Sequence, residues 1–94
     1  MPRYLVQRNF GHVDDEHMQM RAARSTELVD TQFTDIVWEH SHVVTTGDGT
    51  VKTFCVYQSP TEELVHEHAE ALGGHTIEGI FEIGGDVKPD DFRH

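Results

Sequence analysis

The chain has 94 residues, and its 7 Lys and Arg against 17 Asp and Glu give a formal net charge of −10 with neutral histidines. That length predicts one domain with one small core. Because so short a chain is only marginally stable alone, we also expect a dimer that covers further apolar surface. The negative charge argues against nucleic-acid and membrane-surface partners, since phosphates and anionic lipids would repel it.

Further features point to a protein of the cytoplasm. No apolar run approaches the ~20 residues of a membrane-spanning helix, and the charged start of the chain lacks the apolar stretch of a signal peptide. Cys55 is the single cysteine. An internal disulfide is therefore excluded, which fits a reducing cytoplasm.

The first predicted elements are a short strand and a helix. Residues 3–8 are β-prone. The acidic run Asp14-Asp15-Glu16 suits a helix N-terminus, where negative charge complements the helix dipole. The helix is predicted to reach about Asp30, with one face formed by residues at helical spacing: Met18, Ala22, Ser25 and Val29.

A hairpin, a second helix and a last strand follow. Residues 35–45 and 51–58 are rich in β-branched and aromatic side chains and flank Asp48-Gly49, which predicts a β-hairpin. Ser59 is the predicted N-cap of the second helix, with Glu62 closing a capping box and Gly73-Gly74 ending the helix. Residues 76–83 form the predicted last strand.

The order of these elements is β-α-β-β-α-β. It predicts an α+β, ferredoxin-like βαββαβ fold in a single domain over residues 1–94, with an antiparallel sheet and two helices on one face. The other face is left bare. We expect a second copy of the chain to cover it, which would make the protein a homodimer.

Histidine is enriched, with eight among the 94 residues. Metal binding, response to pH near neutrality, or a polar surface without a role would each account for the enrichment. The histidines are spread along the chain: His12, His17, His40, His42, His66, His68, His75 and His94.

The hairpin is predicted to gather two of these histidines with the cysteine. Trp38, His40 and His42 alternate, so on a regular strand they project from one face. A two-residue turn sets His42 opposite Cys55, and a four-residue loop sets His40 there. Opposite Cβ atoms lie about 4.5–5.5 Å apart, so either register predicts a metal site of His40, His42 and Cys55. A loop with an odd number of residues would put Cys55 on the other face.

Two imidazoles and a thiolate suit nickel, zinc, cobalt or copper better than magnesium or calcium. Three ligands leave a position for water, a small ligand or a side chain of a second subunit. Two alternatives stay open. The face is an aromatic-rich dimer interface with Cys55 as a small buried hydrophobe, or Trp38, Tyr57 and His40 line a small-molecule pocket, as in dimeric ferredoxin-like monooxygenases.

The sequence says less about the role of the histidines outside the hairpin. His68 has Leu64 and Leu72 four residues away on either side, which predicts partial burial at the core edge. His66 has Glu62 and Glu70 at the same spacing, which predicts a solvated pair, with a His66–Glu70 metal pair as the alternative. The sequence leaves the role of His75 undecided.

No catalytic residue is predicted. The sequence has no phosphate-binding glycine loop, no Gly-x-Ser-x-Gly, no Cys-x-x-Cys and no His-Glu-x-x-His. Cys55 lies between Phe54 and Val56, an apolar setting that disfavours a reactive thiolate.

Three segments carry a resemblance: Trp38-x-His40-Ser41, the run Lys52–Tyr57 with Pro60, and Ile80-x-Glu82-Ile83. They resemble a family of small, mostly bacterial proteins of ferredoxin-like fold that are nickel-binding or uncharacterised. The resemblance implies a dimer that binds a divalent metal, nickel first, with His40 and Cys55 among the ligands. His42 is added from the spacing alone. We therefore expect a metal store, buffer or sensor, and as the alternative a small-molecule binder or monooxygenase-type enzyme.

Overall fold

A computed structural model of the chain describes residues 1–93, and His94 lies outside the described residues. The elements are β1 (Arg3–Gly11), α1 (Asp15–Thr31), β2 (Val37–Thr45), β3 (Val51–Gln58), α2 (Glu62–Leu72), β4 (Thr76–Glu82) and a short 3-10 helix (Pro89–Phe92). The strands form one antiparallel sheet in the order β2-β3-β1-β4. The predicted α+β ferredoxin-like fold is confirmed. Within residues 1–93, no helix has the length and apolar character needed to cross a membrane.

The core lies between the sheet and the two helices. Alternate residues of β1 are buried on this face, namely Tyr4, Val6, Arg8 and Phe10. Leu28 of α1 and Val65 of α2 belong to the same buried cluster as Tyr4 and Val6. Both helices therefore pack on one face of the sheet, called here the helix face. The opposite face is called the open face.

The second helix begins two residues later than predicted from its cap. Thr61, not Ser59, is the N-cap, and its Oγ1 accepts a hydrogen bond from the Leu64 amide at 3.2 Å. The Ser59 hydroxyl instead donates to the Thr61 carbonyl at 2.7 Å. The predicted capping box is wrong because Ser59 is already buried and held by a hydrogen bond from its amide to the Pro2 carbonyl.

The hairpin register differs from both predicted registers. Trp38 pairs with Tyr57, but the register then shifts by one residue, so that His40 pairs with Val56 and Ser41 with Cys55. Glu39 is the extra residue of this β-bulge. The loop spans residues 46–50, an odd number. Trp38 and Ser41 consequently share the helix face, while His40 lies on the open face.

Candidate metal site and a cavity on the helix face

His40 and His42 form an exposed pair on the open face of β2. Their ring centres are 5.3 Å apart and the rings meet at 77°. The pairing follows from the strand, since residues two apart project from the same face. Two imidazoles that share one metal ion have their ring centres on the order of 5 Å apart. The pair therefore fits two adjacent ligand positions of a transition metal.

An apolar row leads across the open face to this pair. Phe81 of β4, Leu5 of β1, Val56 of β3 and His40 of β2 lie opposite one another on successive strands. Phe81 is 56% exposed. The row makes the surface beside the histidines apolar where a solvated sheet face would be polar.

A small ion-pair network borders the pair. Arg3 Nε donates to the Glu39 carboxylate at 2.8 Å, and Arg3 Nη1 donates to Asp86 at 2.9 Å. The hydrogen bonds from Arg3 hold the pKa of Glu39 below its ordinary value. Glu39 is therefore ionised and forms its ion pair with Arg3, although it precedes His40 in the chain.

Cys55 lies away from the two histidines. It is 3% exposed on the helix face, and its thiol donates to Thr53 Oγ1 at 3.4 Å. The predicted cross-strand pairing of Cys55 with His40 or His42 is wrong, because the odd-numbered loop sets Ser41 opposite Cys55 and turns the histidines to the other face. Among residues 1–93, no group of three or more His, Cys, Asp or Glu side chains is arranged to hold a metal ion.

The helix face contains a cavity of about 400 Å³ between α1 and the strands β1, β3 and β2. Trp38 and Tyr57 both line it, with their rings stacked at 6.3 Å between centres and 29° between planes. Trp38 Nε1 donates to Ser41 Oγ at 2.8 Å, which fixes the indole at the cavity wall. His40, the third residue of the predicted pocket, lies on the open face and takes no part in it.

Arg8 also lines this cavity, and the sequence reasoning missed it. Its side chain is 2% exposed, and its guanidinium carbon lies 5.4 Å from the centre of the Tyr57 ring. The strand pattern carried the signal: Arg8 stands between Val6 and Phe10 in the alternation of buried residues on β1. A charged residue in the apolar register of a strand indicates a buried ion.

His68 of α2 lies against Arg8. Arg8 Nη2 is 3.4 Å from His68 Nδ1, and His68 Nε2 is 3.3 Å from Ser25 Oγ on α1. Burial, with a contribution from the positive charge of Arg8, lowers the pKa of His68 to about 4. His68 was predicted to be partly buried, and in the structure its burial is nearly complete, with 1% of the residue exposed.

The remaining histidine of α2, His66, is exposed, whereas His75 in the turn after α2 is half-buried. His66 Nε2 lies 3.5 Å from the Glu62 carboxylate, as the spacing predicts. His75 Nδ1 lies 2.8 Å from the Gly73 carbonyl, and burial lowers the pKa of His75. His66, Glu70 and His75 line a second, shallow cavity.

Comparison with known proteins places this geometry in a family. The structure is similar to the crystal structure of SCO4226 from Streptomyces coelicolor A3(2), with a TM-score of 0.69, 15% identity and coverage of 90% of this chain and 99% of that one. It is also similar to the solution structure of the C-terminal domain of the MgtC protein from Mycobacterium tuberculosis, with a TM-score of 0.62, 11% identity and coverage of 90% and 88%. A search of curated proteins gives no match. The family model described as nickel responsive protein SCO4226-like matches residues 4–83, which confirms the resemblance to a small bacterial nickel-associated family. The chain belongs to the SCO4226-like family of nickel responsive proteins.

Proposed function

We propose that the protein binds nickel, or a divalent metal of similar chemistry, through His40 and His42, and acts as a metal store, buffer or sensor. The observation that carries the proposal is the exposed imidazole pair with ring centres 5.3 Å apart. Neutral imidazole is a good ligand for nickel, copper, zinc and cobalt. The family description, nickel responsive, supports nickel as the first metal to test.

A second copy of the chain would complete the site. One His40–His42 pair supplies two ligands, and transition metals take four or more. The apolar row of Phe81, Leu5 and Val56 ends at His40, so burying this row between two open faces would bring two histidine pairs to one interface. Two copies with a net charge of −10 each repel one another, and a cation bound between them would reduce that repulsion.

Cys55 is left out of this proposal. Its thiol is buried on the helix face, and reaching the histidines would require it to cross the sheet. Replacing Cys55 therefore provides a control for the site and separates the imidazole-only arrangement from the ligand set predicted by sequence spacing.

Titration calorimetry with Ni²⁺ on untagged, metal-stripped protein at about pH 7.5 tests the proposal, because imidazole must be neutral to bind. We expect the double variant His40→Ala/His42→Ala to lose affinity by about tenfold or more, which is at least about 1.4 kcal/mol. The matched control His12→Ala/His66→Ala removes the same number of exposed imidazoles and should stay within about twofold of the original protein, as should Cys55→Ser.

Two results would count against the proposal. The original protein binds no nickel, or the two double variants lose affinity equally. Equal loss would mean that exposed histidines attract the metal without forming a defined site.

A further inference from the structure

We propose that the cavity between α1 and the sheet is a binding site for a small organic anion. The anionic group would meet Arg8, and an apolar body the size of one or two rings would pack against Trp38 and Tyr57. This site lies on the helix face and is independent of the proposed metal site on the open face.

The charge of Arg8 is not compensated by an acidic side chain of the described residues. A buried ion costs several kcal/mol unless it is paired, yet among residues 1–93 no Asp or Glu makes a salt bridge with Arg8. Arg8 Nε is buried and has no hydrogen-bond partner in the described part of the chain. A guanidinium offers five N–H donors in a fork that matches a carboxylate or phosphate. An anion in the cavity would supply the missing partner.

His68 does not neutralise Arg8. A neutral His68 can accept from Arg8 Nη2 through Nδ1 and donate through Nε2 to Ser25 Oγ, which accounts for the distances of 3.4 Å and 3.3 Å. This arrangement satisfies one of the arginine N–H groups and orients the guanidinium, but it adds no negative charge. The positive charge therefore remains available to a ligand.

The cavity lining carries more positive than negative side chains. Arg8 and Arg21 both line it, against one carboxylate, Asp15. Arg21 donates to the Leu72 carbonyl at 3.2 Å and to His17 Nε2 at 3.4 Å, and neither partner is a carboxylate. The cavity is thus locally positive in a chain whose net charge is −10. A preference for anions here cannot come from the overall charge and must be local.

The size and wall chemistry of the cavity suit a small organic ligand. Its volume of about 400 Å³ falls within the roughly 300–1,000 Å³ of small-molecule sites, which combine apolar walls with a few polar groups. Apart from Trp38 and Tyr57, the walls include further apolar side chains: Phe10, Met18, Val43 and Leu72. An aromatic or alicyclic acid matches this combination.

Two fluorescent dyes that differ in charge test the proposal. Anilinonaphthalene sulfonate carries an anionic group on an aromatic body, and phenyl-naphthylamine has nearly the same body without the charge. We expect the sulfonate to bind about tenfold or more tightly. Trp38 is the only tryptophan, so quenching of its emission by energy transfer reports that the dye is bound to the protein. Equal affinity for the two dyes would overturn the proposal.

Substitution of Arg8 measures the contribution of its charge to binding of the anionic dye. Arg8→Met should weaken the sulfonate by about tenfold or more and leave the neutral dye within about twofold, while Arg24→Met, at an exposed arginine paired with Glu27, should change neither. If Arg8→Met does not fold, as judged by circular dichroism, Arg8→Lys serves instead, and we expect it to weaken the sulfonate because lysine lacks the fork. Unchanged sulfonate binding in the folded variant would contradict the proposal.

Two further experiments identify the class of anion and the place where the dye binds. Displacement of the dye by naphthoate or by naphthyl phosphate, but not by neutral naphthalenemethanol, would support the proposal and distinguish a carboxylate from a phosphate ligand. Displacement by the neutral alcohol at the same concentration would contradict it. The His40→Ala/His42→Ala variant should bind the dye unchanged, and loss of dye binding there would place the dye on the open face and overturn the assignment to the cavity.

Discussion

His68 is held in a position that disfavours its charged form. It is 1% exposed, lies against the rings of Phe33 and Tyr57 at 5.6 Å and 5.5 Å, and contacts the positively charged Arg8. Burial is the larger cause of its low pKa of about 4, and Arg8 is the next. At neutral pH His68 is therefore a neutral hydrogen-bonding link between Arg8 and Ser25.

The low pKa of His68 predicts a stability that depends on pH. The unfolded chain binds a proton at His68 near the ordinary value of 6.5, whereas the folded chain does so only near 4. The free energy of unfolding should therefore be fully supported above about pH 6.5 and fall as the pH drops toward about 4, by up to about 1.4 kcal/mol per pH unit. His75, whose pKa is also lowered, contributes in the same direction.

Urea unfolding of His68→Gln and His66→Gln across this pH range measures the effect. The His68 variant should have a flatter pH dependence than the original protein, and the exposed His66 variant should keep the original slope. Both variants retain every carboxylate, so acid titration of Asp and Glu cancels in the comparison. Equal slopes in all three proteins would show that His68 titrates normally.

At the scale of elements, the sequence was sufficient for the identity and order of the strands and helices but not for their register. Alternating β-branched residues and the Asp48-Gly49 turn predicted the hairpin correctly. Register depends on the number of residues in the loop and on the bulge at Glu39. A bulge on an edge strand such as β2 has no local sequence signature, because solvent satisfies its free backbone groups.

The five-residue loop at residues 46–50 explains part of the difference between the predicted and the observed hairpin register. Thr46 and Thr50 close it through a backbone hydrogen bond from the Thr46 amide to the Thr50 carbonyl at 2.9 Å. Asp48 stabilises it by accepting from the Thr46 hydroxyl and from the Thr50 amide at 3.0 Å. These hydrogen bonds hold the pKa of Asp48 far below its ordinary value. Asp48-Gly49 therefore belongs to a longer loop than the dipeptide alone indicates.

The corrected cap of α2 gives a prediction for that element. Thr61→Ala removes the side chain that accepts from the Leu64 amide, and loss of an N-cap costs about 1 kcal/mol of stability. Thr26→Ala is a matched control, since Thr26 lies within α1 and its hydroxyl bonds the Ala22 carbonyl one turn earlier, a contact that does not stabilise a helix. Urea unfolding should show destabilisation for Thr61→Ala alone. Equal effects of the two changes would contradict the assignment of the cap.

At the scale of the whole molecule, the two faces of the sheet differ in what covers them. The helix face is covered by α1 and α2 and contains the cavity, whereas the open face presents an apolar row that ends at the histidine pair. The sequence predicted this asymmetry through the βαββαβ order. The sequence predicted, as an alternative, a pocket lined by Trp38 and Tyr57, and both residues line the cavity. It missed Arg8 and the wall formed by α1, because these depend on how α1 packs over β1, and the two elements are packed together by the whole fold.

The proposed dimer gives a prediction at this scale. Phe81→Glu places a charge in the apolar row, and burying an unpaired charge between two open faces is costly, so the variant should sediment as a monomer under conditions where the original protein is a dimer. Phe92→Glu is the matched control, since Phe92 is 70% exposed in the C-terminal 3-10 helix and should leave the dimer intact. A dimer that tolerates Phe81→Glu, or an original protein that is monomeric with and without nickel, would contradict this interface.

The central claim is that nickel is bound by imidazoles of the open face without the buried thiol. X-ray absorption of the nickel-loaded protein at the nickel edge tests it most directly, because nitrogen and sulfur scatterers are distinguished by their distances from the metal. We predict a first shell of nitrogen and oxygen atoms around nickel, with the multiple scattering of imidazole rings. This imidazole signal should be lost in His40→Ala/His42→Ala and should be unchanged in Cys55→Ser. A sulfur shell that disappears in Cys55→Ser would contradict it.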